Sequence, residues 1–288
     1  MTALWILVSS FCSAAIIACI QSLGQTIALI DLAFVQFSFV LAVTVAVMLA
    51  KKVSFRTHVW HLHLLRSLFG VGVVFTQIIT ATHMPVAAAQ TLQYTAPLFV
   101  AGITAAAAYR RGEAVDWRVL AAVAAAFCGI LVMFHPSVRS FSALYVLVGL
   151  FCGLLTALAI LILKKLGNLH ESVPRTIFYF HLHGIVILGL LEAFCGQLTF
   201  EQVQQAPLAL MLVFVICAQF ARTHGWGKGN TFLGSALTFS GVVFATLFDA
   251  AFFGEVPGPR SLLGMCIIVL AATVCLRLTI AAEAKKKL

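Results

Sequence analysis

Gln90, Gln93, Tyr94 and Pro97 fall at i, i+3, i+4 and i+7 within an otherwise apolar run, so on a helix they share one face. Two amides and a phenol make a hydrogen-bonding stripe, which either lines a cavity for a polar solute or joins helices. Pro97 removes one helical hydrogen bond and frees the Gln93 carbonyl, which bends the helix or offers one more acceptor. A second stripe, Ser235, Thr238, Thr246 and Asp249, adds a carboxylate. An acid surrounded by apolar residues is a candidate counter-ion for a cationic solute or a proton carrier; the plainer readings are a salt bridge to Arg260 or snorkelling to water. Gln77, with Thr80 one turn later, adds another amide. The aromatic surfaces of Trp5 and Tyr179 complete the candidate binding set.

What must position these groups follows from composition. The chain has 288 residues, 62% hydrophobic and 9% charged, whereas soluble proteins carry about 25% Asp, Glu, Lys and Arg. The bilayer is therefore its main solvent. Spanning it takes about 20 apolar residues per helix with backbone groups satisfied internally. Runs such as Leu41 to Ala50 do not alternate as barrel strands would. Hydropathy predicts ten spans: 3–22, 30–50, 64–82, 85–108, 117–134, 143–163, 176–194, 207–221, 231–253 and 261–280. The eighth is the shortest. With the N-terminus in the cytoplasm, all 18 Lys and Arg residues except Arg139 and Arg260 fall inside, which supports the count by the positive-inside rule. The net charge of +9 then reads as topology and contact with anionic lipid, with no need for nucleic acid.

The chain also repeats itself. Tyr109-Arg110-Arg111-Gly112-Glu113 followed by Arg118 lines up, 142 positions on, with Ala251-Phe252-Phe253-Gly254-Glu255 followed by Arg260. Thr104 falls on Thr246 and Val100 on Val242. An odd number of spans separates the copies, so the second is inverted, an arrangement suited to a carrier that opens alternately to the two sides with its site near the midplane. The expected architecture is an all-α integral membrane protein of two inverted five-helix repeats, 1–140 and 141–288.

Ten spans, two inverted halves, and Gly-Glu with a following Arg at each fourth-to-fifth turn resemble the EamA-type branch of the drug/metabolite transporter superfamily. That resemblance covers essentially the whole chain. It implies a multi-pass carrier with both termini cytoplasmic, here in a bacterial inner membrane, a cavity lined by both halves, and substrates among amino acids, nucleotide-like metabolites, amines and drugs. Glu113 with Arg118 and Glu255 with Arg260 are expected as structural pairs at helix ends, where a hydrated carboxylate also favours the next helix N-terminus, and as hinges.

Other motifs argue against other chemistries. The cysteines lack CxxC or Cys/His ligand spacing and read as small packing residues. His58, His61 and His63 sit in an interfacial loop, with His58 and His63 five apart, where a helical zinc pair wants four. His181 and His183 point to different faces, so one at most meets a cavity. Gly225-Trp226-Gly227-Lys228-Gly229 lacks the strand and spacing of a phosphate loop and reads as a flexible turn with an interfacial Trp. Ile16-Ile17-Ala18-Cys19 resembles a lipoprotein cleavage box, but no Lys or Arg precedes it, so the first span is expected to remain. No acid–base pair, Ser/Lys dyad or carboxylate cluster lies at membrane depth, which excludes an embedded enzyme from the leading readings.

The sequence therefore predicts a secondary-active or facilitative transporter of a small organic metabolite, needing no cofactor or metal, with the lipid bilayer as its surroundings and a monomeric or dimeric state. Amino-acid or amine export leads; uptake or exchange of a larger metabolite such as a nucleoside derivative is the alternative, and a non-transporting receptor is a third. Arg and Lys are read as absent from the middle of every span, which favours a zwitterion or cation. The first span from Leu4 to Ile20 has no acid, unlike small multidrug relatives, so any proton coupling falls to Asp249.

Overall fold

A helix satisfies its own backbone in lipid only if it runs unbroken for most of the bilayer thickness, and the sequence supplies such runs. The structure, a computed structural model, describes residues 2–23, 27–83, 92–134, 142–196, 204–254 and 257–285. Its helices are α1 (Thr2–Leu23), α2 (Leu29–Ala50), α3 (Trp60–His83), α4 (Ala96–Arg110), α5 (Trp117–Phe134), α6 (Ala143–Asn168), α7 (Val173–Cys195), α8 (Ala206–Lys228), α9 (Thr231–Thr238), α10 (Ser240–Phe252) and α11 (Pro259–Lys285). There is no strand among the described residues. By length and composition α1, α2, α6, α7, α8, the α9–α10 pair and α11 can each cross a membrane, and α5 is a shorter apolar helix.

Burial is inverted relative to a soluble protein. Phe194 is 86% exposed and Leu270 66%, whereas Thr44, Ser235 and His181 are fully buried. Apolar side chains face outward because lipid solvates them, and polar groups turn inward because lipid cannot.

Helix pairing depends on small residues, since apolar surface gives no net drive between helices already in lipid. α1 packs on α8 and α10, α3 on α6, α2 on α7, and α5 on α11. A β-carbon on Gly129 of α5 would stand 2.8 Å from the Gly264 carbonyl oxygen of α11. One on Gly225 of α8 would meet the Ile6 side chain of α1 at 2.6 Å, and one on Gly167 of α6 would collide with the Gly227 backbone of α8. The predicted turn at Gly225-Trp226-Gly227 is therefore corrected: α8 continues helical to Lys228 and Trp226 is buried. Glycine in a membrane helix permits close backbone approach more often than it breaks the helix.

Two spans are interrupted at the same level as the interior. In the fourth, a turn at Tyr94-Thr95 precedes α4, with Pro97 in its first turn and the Thr95 hydroxyl donating to the Leu92 carbonyl at 2.6 Å. In the ninth, Phe239 separates α9 from α10, and the Ser240 hydroxyl donates to the Leu237 carbonyl at 2.7 Å. Side-chain hydroxyls thus satisfy carbonyls that the breaks release.

Gly112 and Gly254 take the same left-handed conformation, φ +70° and +71°, which an L side chain adopts only with strain. Glu113 pairs with Arg111 at 2.9 Å, both exposed, so this ion pair contributes little. The expected Glu113–Arg118 pair is not formed; Arg118 is at the start of α5, where its backbone N–H donates to Asp116 at 3.0 Å. Arg260 occupies the first turn of α11. Glu255 lies outside the described residues.

One end of the bundle is tied by a residue that the sequence did not single out. Glu171, between α6 and α7, accepts from Thr57 at 2.7 Å, contacts His63 at 3.1 Å and pairs with Arg175 at 3.0 Å. Burial pushes its carboxyl up, but the hydrogen bonds from Thr57, His63 and Arg175 outweigh that and hold it below its ordinary value of 4.5. Its stabilisation is present above pH 4.5 and is lost as the pH falls through the lower folded value. Thermal melts of wild type should therefore fall on the acid side, and Glu171→Gln should lower the melting temperature at pH 7 while flattening that acid limb. A variant with the wild-type acid limb would show that another group carries it.

Candidate functional site: a central cavity with two arginines

The interrupted fourth and ninth spans face each other, with the Tyr94 and Phe239 rings 6.3 Å apart. Beside them lies a cavity of about 320 Å³, lined by α1, α2, α3, the fourth span, α6, α7, α8 and the ninth span. That volume corresponds to about ten waters, the size range of a small metabolite. α5 and α11 pack on each other and supply none of the lining.

Of the sequence candidates, Gln77, Gln93, Tyr94, Pro97 and Thr238 line this cavity. Gln90 lies outside the described residues. Thr246 and Asp249 lie further along α10 and are not in the lining; the Thr246 hydroxyl donates to its own helix at the Val242 carbonyl, 3.1 Å away. Trp5 packs against His224 with rings 5.1 Å apart and is 42% exposed. Tyr179 is committed to the end of the bundle, where its hydroxyl donates to the Phe55 carbonyl at 2.8 Å and its ring stacks on His63 at 4.7 Å. Neither aromatic reaches the cavity.

The main correction concerns charge. Arg66 and Arg222, placed by hydropathy at the basic interface, both line the cavity. Each stands six residues inside its helix end, Trp60 or Lys228, about 9 Å at the helical rise. The Arg66 guanidinium goes deeper still, lying against Gly70 one turn further in and 4.0 Å above the Phe180 ring, a cation–π contact. Arg222 donates to the Ser13 hydroxyl at 2.9 Å. No carboxylate belongs to the lining among the described residues. His181, fully buried behind Phe37, holds its ring by the Ile177 carbonyl at 2.8 Å and approaches the Gln219 amide at 3.5 Å.

A helical signal for these residues exists. Arg66, Gly70, Val73 and Gln77 fall at i, i+4, i+7 and i+11, and Gln219, Arg222 and Trp226 at i, i+3 and i+7, each set on one face. The first was hidden by starting the third span at 64, so that Arg66 counted as its boundary. The second was hidden by ending the eighth at 221. No group of three or more His, Cys, Asp or Glu residues able to hold a metal occurs among the described residues.

Residues 1–135 match the profile of the EamA-like transporter family. A protein of known crystal structure is similar over 98% of this chain and 98% of its own, with a TM-score of 0.83 at 17% identity, a likeness that shows the fold. No curated protein matches the sequence. The first 135 residues are thus similar to the EamA-like transporter family of the drug/metabolite transporter superfamily, and the apolar helices make the chain a multi-pass membrane protein.

Proposed function

We propose that the protein is a secondary-active or facilitative carrier of a small organic metabolite, an amino acid first among the candidates, exported by alternating access. The observation that carries this reading is the cavity whose lining comes from helices of both halves, 1–140 and 141–288. The helix pairing is consistent with inverted halves: α1 on α8 mirrors α6 on α3, while α2–α7 and α5–α11 are pairs of counterparts. The equal left-handed φ of Gly112 and Gly254 supports the same symmetry. A moving interface between such halves needs a site accessible from either, and this cavity offers one. By the distribution of Lys and Arg, both termini face the cytoplasm of a bacterial inner membrane, and the Glu171 end of the bundle faces the same way.

A cationic amine fits this cavity less well than an amino acid, because two guanidiniums and no described carboxylate line it. Asp249 stands outside the lining, so its part is coupling rather than counter-ion. The reading is tested by counterflow of labelled amino acids in proteoliposomes. Saturable exchange is expected, and its absence for every solute offered would leave a receptor. In the same vesicles Asp249→Asn should abolish pH-driven flux and leave counterflow intact; unchanged pH-driven flux would end that assignment.

A further inference from the structure

The cavity contains an unanswered charge. Arg66 and Arg222 keep their charge in essentially any protein environment, and burying an unpaired cation is costly. The partners seen for them are a ring face and a hydroxyl, Phe180 and Ser13, which solvate without neutralising. Both guanidiniums border the same cavity of about 320 Å³, so one small solute lies within reach of the pair. Around them stand the hydroxyls of Ser9, Ser10 and Ser13 and the amides of Gln77, Gln93 and Gln219. The rings of Phe37, Phe180, Tyr94 and Trp226 complete the lining with apolar surface.

We propose that Arg66 and Arg222 form an oxyanion site that holds the carboxylate, or an equivalent phosphate, of a small organic solute whose carbon skeleton lies against Phe37, Phe180 and Trp226. Guanidinium forks match planar and tetrahedral oxyanions through paired N–H donors. An ammonium group alone meets two like charges and is rejected. An amino acid is thus recognised by its carboxylate, and its ammonium is left to the amides and hydroxyls. For binding, the proposal depends on the cavity alone; it rests on the carrier reading only for the solute being carried.

The test is calorimetric titration of the purified full-length protein with 3-phenylpropionate, phenyl phosphate, 3-phenylpropionamide and 3-phenylpropylamine, which share a ring and differ in charge. The two oxyanions are expected to bind at least about tenfold tighter than the amide or the amine, and their ratio tells carboxylate from phosphate preference. Arg66→Gln and Arg222→Gln should each weaken 3-phenylpropionate by about tenfold or more, with Arg222→Lys between them and wild type. If a glutamine variant does not fold, the lysine variant and the wild-type comparison decide. Equal binding of amine and carboxylate, unchanged affinity in a folded glutamine variant, or binding of neither oxyanion would overturn the site. A protein that binds 3-phenylpropionate yet shows no counterflow would overturn the carrier reading and leave the site standing.

Discussion

Gly167→Val is expected to yield little or no folded protein. A β-carbon at this position collides with the Gly227 carbonyl oxygen and stands 2.5 Å from the Gly227 α-carbon, so the obstacle is the backbone of α8 and no rotamer change relieves it. Overpacking against movable side chains costs about 1–3 kcal/mol; against a helix backbone the cost exceeds that range, because α6 and α8 must separate and both line the cavity. The measurement is the yield of monodisperse protein in detergent and its melting temperature. Gly102→Val is the control, since a β-carbon there meets nothing within 4 Å. A Gly167→Val protein as stable as wild type would mean that the two backbones are not in contact.

Gly241→Trp tests the cavity itself. Gly241 opens α10 at the cavity wall, and a β-carbon there would stand 3.3 Å from the Tyr94 hydroxyl and 3.7 Å from the Ser10 β-carbon. The first atom is tolerated because a hydroxyl at the end of a side chain can yield. The indole beyond it occupies much of a space of about 320 Å³. Counterflow is expected to fall to background while the melting temperature stays near that of wild type, since the space being filled is solvent-sized and no helix must move. Wild-type counterflow in this variant would place the transport path elsewhere.

These two glycines show what was legible in the sequence. Membrane class and the positions of seven spans followed from hydropathy, because the cost of leaving a polar backbone group in lipid is paid locally, within each run of about 20 residues. The stripe of Gln93, Tyr94 and Pro97 was readable for the same reason: helical spacing places residues on a face before any partner is known. The eighth span was truncated at 221 and its glycines read as a turn, because intrinsic propensity counts glycine as a breaker. The close approaches behind this stretch, of Gly225 to the Ile6 side chain of α1 and of the Gly227 backbone to Gly167 of α6, are not local to any one segment.

Charge misled in the same way. A guanidinium near the end of a hydrophobic run is normally expected to snorkel outward, and the sequence offers nothing to contradict this for Arg66. Phe180, 114 positions away in the chain, provides the ring that holds it inward at 4.0 Å.

By itself, the sequence determined the solvent and which faces carry amides, since each depends on residues within a few helical turns. Which faces meet, that Thr246, Asp249, Trp5 and Tyr179 stand away from the cavity, and that two arginines enter it were decided by tertiary structure alone. Helix contacts in lipid are selected by close backbone fit and buried polar groups between segments distant in sequence, and that fit exists only once the bundle has assembled.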